Sequence, residues 1–175
     1  YRLFFQEPGK AEADLEADIE RSIRGFIYLI SGDALSNGDI SQPFDGHFPA
    51  GESLSQQLLL PDELPHWINE EDLSFYVDQI SSSGFRGGLN WYRNINRLAA
   101  ITAPYIGATL TQPSFYMGGS TDLIAGNTPE AISSMQQALG DLRHCEIIEG
   151  AGHWLQQECS SEVSSAMVNF LEGLD

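Results

Sequence analysis

Between Ala11 and about Ile30, apolar Leu15, Ile19, Ile23, Ile27 and Ile30 recur every three or four positions, which predicts a helix with one buried face. Glu20 with Arg24 and Asp18 with Arg21 are spaced to support its outer face. From Ser31 to Ser55 the period disappears into Gly, Ser, Asp, Asn and Pro, the composition of a long surface loop. Loops of that length often lie over functional sites. A second helix is expected after Pro65, with Asn69 as N-cap, Glu70, Glu71 and Asp72 at its positive end, and a stripe of Leu73, Tyr76, Val77 and Ile80. Ser81-Ser82-Ser83-Gly84 ends it, and a third helical stretch is expected through Asn90 to Ala100. Residues 1 to about 89 thus read as mainly α-helical, with no clear strand.

The pattern changes near Thr102. Pro113 precedes the apolar run Ser114 to Gly118, which reads as a buried strand. Thr128 then caps a helix with Pro129 at its first position and Gly140 just past its end. A strand from His144 to Ile148 follows, then Gly150-Ala151-Gly152-His153. A last helix starts near Ser161 and is expected to bury Val163, Met167, Phe170 and Leu174. Strand, helix, strand, helix is the order of a parallel α/β sheet covered on both faces. Two strands are too few for such a sheet, which points to further strands supplied by an upstream segment. The abrupt apolar entry at Tyr1, Leu3, Phe4 and Phe5 agrees with a piece of a longer chain. No internal repeat is present.

Composition changes this picture little. The 175 residues are 42% hydrophobic, enough for a packed core. A net charge of −17 repels phosphate backbones and anionic bilayers, so neither nucleic acid nor a membrane surface is an expected partner. No apolar run reaches the roughly 20 residues of a spanning helix. Cys145 and Cys159 lack metal-site spacing and fit an intracellular, here cytoplasmic, protein, with one disulfide left open. His47, His66 and His144 show no ligand spacing, so no metal is expected. The stretch from His47 to Gly51 is loop-like and is assigned no role.

In open parallel sheets, functional groups gather beyond the carboxyl ends of the strands. Asp122 follows the first strand and His153 the second. If the strands are neighbours, the carboxylate can hold one ring nitrogen and leave the other as a base. Two plainer readings stand beside this one. A histidine in a glycine loop is structural about as often as catalytic, and Asp122 alone reads first as a turn residue or helix cap. Cys159 is close to His153 in sequence, which says nothing of geometry. The nucleophile of a triad is missing, because no Gly-x-Ser-x-Gly elbow or aspartate analogue occurs.

Three strings add a family. Tyr1-Arg2-Leu3-Phe4-Phe5-Gln6-Glu7-Pro8-Gly9, Gly84-Phe85-Arg86-Gly87-Gly88-Leu89-Asn90-Trp91-Tyr92-Arg93-Asn94 and Gly152-His153-Trp154 resemble soluble epoxide hydrolases of the α/β-hydrolase superfamily. The resemblance runs in order over nearly the whole chain. It implies an α/β fold: the C-terminal portion of an α/β-hydrolase parallel sheet preceded by a mainly α-helical lid. Residues 1–89 would form the lid, and residues 90–175 the C-terminal part of the core.

By the same resemblance Tyr1 and Tyr92 hold the epoxide oxygen, His153 activates water, Asp122 orients His153, and Trp91 and Trp154 line the substrate. The expected reaction converts an epoxide to a vicinal diol through an alkyl-enzyme ester. Its partners are a small epoxide and water, with no cofactor, and homo-oligomerisation is left open. The nucleophilic aspartate and the histidine-glycine-x-proline oxyanion loop are absent and expected upstream of Tyr1. The lid loop from Ser31 to Leu60 varies among relatives, so the substrate's identity does not carry over. A haloalkane dehalogenase or another α/β hydrolase is the enzymatic alternative. A non-catalytic binding module is the other, if the native chain begins here.

Overall fold

Asn69 opens the longest helix by accepting from the Glu71 and Asp72 amides at 2.8 and 3.0 Å, while Asp72 reaches back to the Asn69 amide at 3.2 Å. This reciprocal cap satisfies donors that no helical carbonyl can reach. In the computed structural model, which describes every residue except 50, 125 and 175, that helix is α5 (Glu70–Ser83). It ends at Gly84, whose φ of +68° suits glycine. Ala50, inside the unassigned stretch from 47 to 51, lies outside the described residues.

The chain divides into two compact units, Tyr1–Leu29 with Gly46–Ile106 and Ile30–Asp45 with Gly107–Asp175. The expected boundary at 89/90 falls inside α6 (Arg86–Arg93), so that helix belongs wholly to the first unit.

The first unit is helical. After a 3-10 turn at Phe4–Gln6 come α1 (Lys10–Leu15) and α2 (Ile19–Leu29). The single helix expected from Ala11 to Ile30 is therefore two. Asp18 accepts the Arg21 amide at 3.0 Å and starts a new helix, and Ser22 Oγ donates to the Leu15 carbonyl at 2.9 Å. Asp18 thus caps, and the Arg21 guanidinium instead donates to the carbonyls of Ser55, Gln56 and Leu58. Glu20 does pair with Arg24, at 3.7 Å. Ile23, Ile27, Ile68 and Leu73 form one core cluster, with Ile19, Val77 and Ile80 against it. Tyr76, expected in that stripe, stays 38% exposed.

The predicted loop from Ser31 to Ser55 contains two short helices, α3 (Gly32–Ser36) in the second unit and α4 (Leu54–Gln57) in the first. Neither is long enough to show a hydrophobic period. The first unit closes with α6, α7 (Ile95–Thr102) and a 3-10 turn at Ala103–Tyr105.

The second unit runs from β1 (Leu110–Gly119) through α8 (Pro129–Ala138) to β2 (Leu139–Ile148) and then α9 (Leu155–Glu158) and α10 (Ser160–Glu172). β1 and β2 pair in parallel, with Phe115 opposite His144 and Gly119 opposite Ile148. The register is irregular around Pro113, which has no amide to give the ladder. Both strands are longer than the apolar runs. Gly140, expected past the helix end, lies in β2 because α8 hands over to the strand at Leu139. On α10 only Val163 is buried. Phe170 packs on Phe115 with centroids 5.4 Å apart, whereas Met167 and Leu174 are 46% and 42% exposed. A two-stranded sheet offers too little surface to cover the whole stripe.

Candidate active site

Two groups of candidate side chains come together, one in each unit. In the first, Tyr1 and Tyr92 meet edge to face, with centroids 5.6 Å apart and planes at 84°. Phe5 packs edge-on against both, at 5.6 and 5.0 Å, which fixes the two rings as a pair. Tyr92 sits on α6 because Gly84 and the following turn start a helix whose Leu89 is buried and whose Trp91 is 75% exposed.

Two connections tie the segment of Tyr1 to that helix. Gln6 Nε2 donates to the carbonyls of Arg2 and Tyr92 at 2.9 and 3.1 Å. Arg93 binds Glu12 through two contacts of 2.7 and 2.8 Å and donates from Nε to the Phe5 carbonyl at 2.9 Å. Burial pushes the Tyr92 phenol above its ordinary pKa, and Tyr1 adds to the shift while Arg2 opposes it. Arg2 Nε donates to the Tyr1 hydroxyl oxygen at 3.2 Å, placing positive charge beside that phenol.

In the second unit, His153 Nδ1 lies 3.0 Å from Asp122 Oδ2. Asp122 is 6% exposed and the imidazole is partly exposed. With Asp122 ionised, Nδ1 carries the shared proton, and Nε2 becomes the basic nitrogen.

The loops after the two strands are laced together. Ser120 N–H donates to the Ile148 carbonyl at 2.9 Å, Thr121 N–H and Oγ1 donate to the Ala151 carbonyl at 3.0 and 2.8 Å, and Gly150 N–H donates to Ser120 Oγ at 2.9 Å. Gly119 permits this, since a Cβ there would stand 2.3 Å from the Ala151 oxygen. Tyr116 donates to Asn127 Oδ1, and Asn127 Nδ2 donates to the Gly119 carbonyl at 3.0 Å, which secures the end of β1.

Of the six residues expected from the sequence, Tyr1 pairs with Tyr92 and Asp122 with His153. Trp154 stands edge-on to His153, with centroids 5.2 Å apart, and Trp91 presents most of its surface to solvent beside Tyr92. Cys159 packs against the cluster of Ala151, Leu155 and Val163, and burial raises its thiol pKa, so it is no activated nucleophile. Sequence reasoning passed over Glu12, Arg93 and Glu158. Glu12 accepts the Gly9 amide at 2.9 Å, but glycine lacks the N-cap side chain of a capping box, so nothing local marks Glu12, Arg93 or Glu158. Among the described residues no group of three or more His, Cys, Asp or Glu is arranged to hold a metal, and no helix is long and apolar enough to cross a membrane.

No protein-family model matches the chain. Epoxide hydrolase A of Mycobacterium tuberculosis is 38% identical over 175 residues, covering all of this chain and 52% of that protein. An epoxide hydrolase of Caballeronia sordidicola is 33% identical, over 99% of this chain and 51% of its own length. The solved structure of an epoxide hydrolase from an endophytic Streptomyces superposes with a TM-score of 0.89 at 36% identity, covering 99% of this chain and 52% of that one. The chain spans about half the length of these curated relatives. Along its whole length the chain is similar to epoxide hydrolases, and it shares with them the architecture of the α/β-hydrolase fold.

Proposed function

We propose that the protein carrying this chain hydrolyses epoxides to vicinal diols. The first unit serves as the lid, and the second as the C-terminal part of the catalytic domain. The observation that carries the reading is the pair of phenols, Tyr1 and Tyr92, locked together around Phe5. An epoxide opens to an alkoxide, which leaves poorly unless it receives a proton. A phenol near pKa ~10 hydrogen-bonds the ring oxygen and protonates the more basic alkoxide. A halide needs no such donor, which favours the epoxide over a haloalkane.

The attacking group is a carboxylate supplied from outside these 175 residues. It bonds to an epoxide carbon, the C–O bond breaks toward the oxygen held by Tyr1 and Tyr92, and a tyrosine proton completes the first hydroxyl. His153 Nε2 then takes a proton from water, the hydroxide adds to the ester carbonyl, the ester C–O bond breaks, and the carboxylic acid so formed gives its proton to the departing alkoxide to complete the diol. The imidazolium proton returns through water to the tyrosinate, which resets both groups. Asp122 holds the imidazolium formed on the way. Trp91 and Trp154 contribute apolar surface to the substrate. The protein works in the cytoplasm, where the free thiols of Cys145 and Cys159 stay reduced.

Incubating the full-length protein with a racemic aryl epoxide and, separately, with a haloalkane tests the reading. Diol formation without halide release is expected, and Tyr92→Phe is expected to slow ring opening by about 10²-fold. Halide release without diol, or full activity of Tyr92→Phe, contradicts it.

A further inference from the structure

We propose that Glu158 is a positioning residue for His153, acting through the peptide units on both sides of it. Glu158 ends α9, and its carboxylate turns back on the loop that precedes the helix. Oε2 accepts from the Gly152 amide at 2.8 Å and from the Gly32 amide at 2.9 Å, and Oε1 accepts from the Trp154 amide at 3.0 Å. The remaining amide of the run, that of His153, donates to the Ile30 carbonyl at 2.9 Å. Three successive peptide units, Gly152, His153 and Trp154, are thus held, and two of them by one carboxylate.

Pinning the amides at 152 and 154 constrains the backbone dihedrals of His153, and those set the direction in which its Cβ leaves the chain. The third hydrogen bond, donated by the Gly32 amide to Glu158 Oε2, locks this loop against the segment from Ile30 to Gly32. The packing there leaves no slack. A Cβ on Gly152 would come within 2.4 Å of the Gly32 nitrogen, and one on Gly32 within 1.9 Å of the Gly150 oxygen. Asp122 fixes the far end of the histidine, at Nδ1. Glu158 fixes the near end, at the backbone.

Only an ionised carboxylate suits the three donors. It accepts at both oxygens, and bonds to a charged acceptor are the stronger ones. In Glu158→Gln one oxygen becomes NH2, a donor facing an N–H, so at least one of the three amides loses its partner.

The inference rests on the epoxide hydrolase reading, because it places the effect on the step in which His153 activates water. In that mechanism the alkyl-enzyme forms before the step is reached. Glu158→Gln in the full-length protein is therefore expected to lower kcat and KM together, by about 10-fold or more, to leave kcat/KM within about 2-fold, and to let the ester accumulate in a mass spectrum. A fold defect alone lowers kcat at unchanged KM, and that result, or unchanged kinetics, overturns the proposal.

If Glu158→Gln does not fold, Glu158→Asp keeps the charge but withdraws it by one methylene. The same paired fall in kcat and KM is then expected, and its absence is equally decisive. A readout independent of turnover is the hydrogen-bonded His153 Nδ1 proton, identified by proton NMR through its loss in Asp122→Asn. It should broaden or vanish in the Glu158 variant, and an unshifted sharp signal counts against the role. Lack of diol formation by the unsubstituted protein faults the epoxide reading itself, and the NMR arm then decides Glu158.

Discussion

Arg93 grips Glu12 with two of its nitrogens, at 2.7 and 2.8 Å, and the same guanidinium reaches the Phe5 carbonyl, so one side chain joins the helix of Tyr92 to the segment of Tyr1. Both side chains are largely covered, at 12% and 13% exposed. The fork geometry suits arginine and not lysine.

This pair predicts a specific acid sensitivity. Hydrogen bonds from Arg93, reinforced by the Gly9 amide, hold the Glu12 carboxyl at a pKa of about 2 against an ordinary 4.5. Because the folded value is the lower one, the stabilisation is complete above the ordinary value and is lost as pH falls from about 5 toward 2. The unfolding midpoint of Glu12→Gln should therefore vary less with pH across that span than that of the parent protein. Parallel curves would remove Glu12 from the account. Arg93→Met should destabilise more than the double variant, since it alone leaves an uncompensated carboxylate.

Under the proposed function, the Tyr92 phenol should set the alkaline limit of ring opening. A donor must be protonated, and burial raises this phenol above its ordinary value near 10. Single-turnover rates of alkyl-enzyme formation should stay level up to about pH 10 and fall only beyond it. A decline centred near neutrality would show that another group donates.

Asp122→Asn should preserve the shape of the His153 contact and spoil its polarity. The amide no longer stabilises an imidazolium and can hold the ring in the wrong tautomer. Ester hydrolysis is expected to fall by about 10³-fold or more, with the covalent intermediate trapped, as measured by quench and mass analysis. Rapid turnover in this variant would return Asp122 to the plainer reading of a turn residue.

Two glycine substitutions should have opposite signs. Gly32→Ala drives a Cβ to 1.9 Å from the Gly150 oxygen, which displaces the loop of His153 and should cost about 2–3 kcal/mol. Gly87→Ala, inside α6 with nothing within 4 Å of the new carbon, should stabilise by about 0.5–1 kcal/mol. Chemical denaturation of the two variants checks both, and equal effects would show that the loop at Gly150 yields freely to a side chain at position 32.

The amino-acid sequence by itself determined the elements whose signals are local. Asn69 caps α5, Thr128 caps α8 with Pro129 behind it, and the alternation of strand and helix after Thr102 prescribes a parallel β1–β2 pair. Caps and periods are short-range, set by which backbone donors a nearby side chain can reach. Because the sheet is parallel, Asp122 and His153 were also foreseeable as neighbours, each following a strand end.

Tertiary structure decided the rest. The helix α3, which no period announces, lies in the second unit, where Glu158, 126 residues later, accepts the Gly32 amide. The bond between Arg93 and Glu12 spans 81 residues. No periodicity announces such pairings, since each acceptor is brought to its donor only when the chain folds. The pairings that hold the candidate chemistry in place were therefore invisible in the sequence, although the residues that would perform it were not.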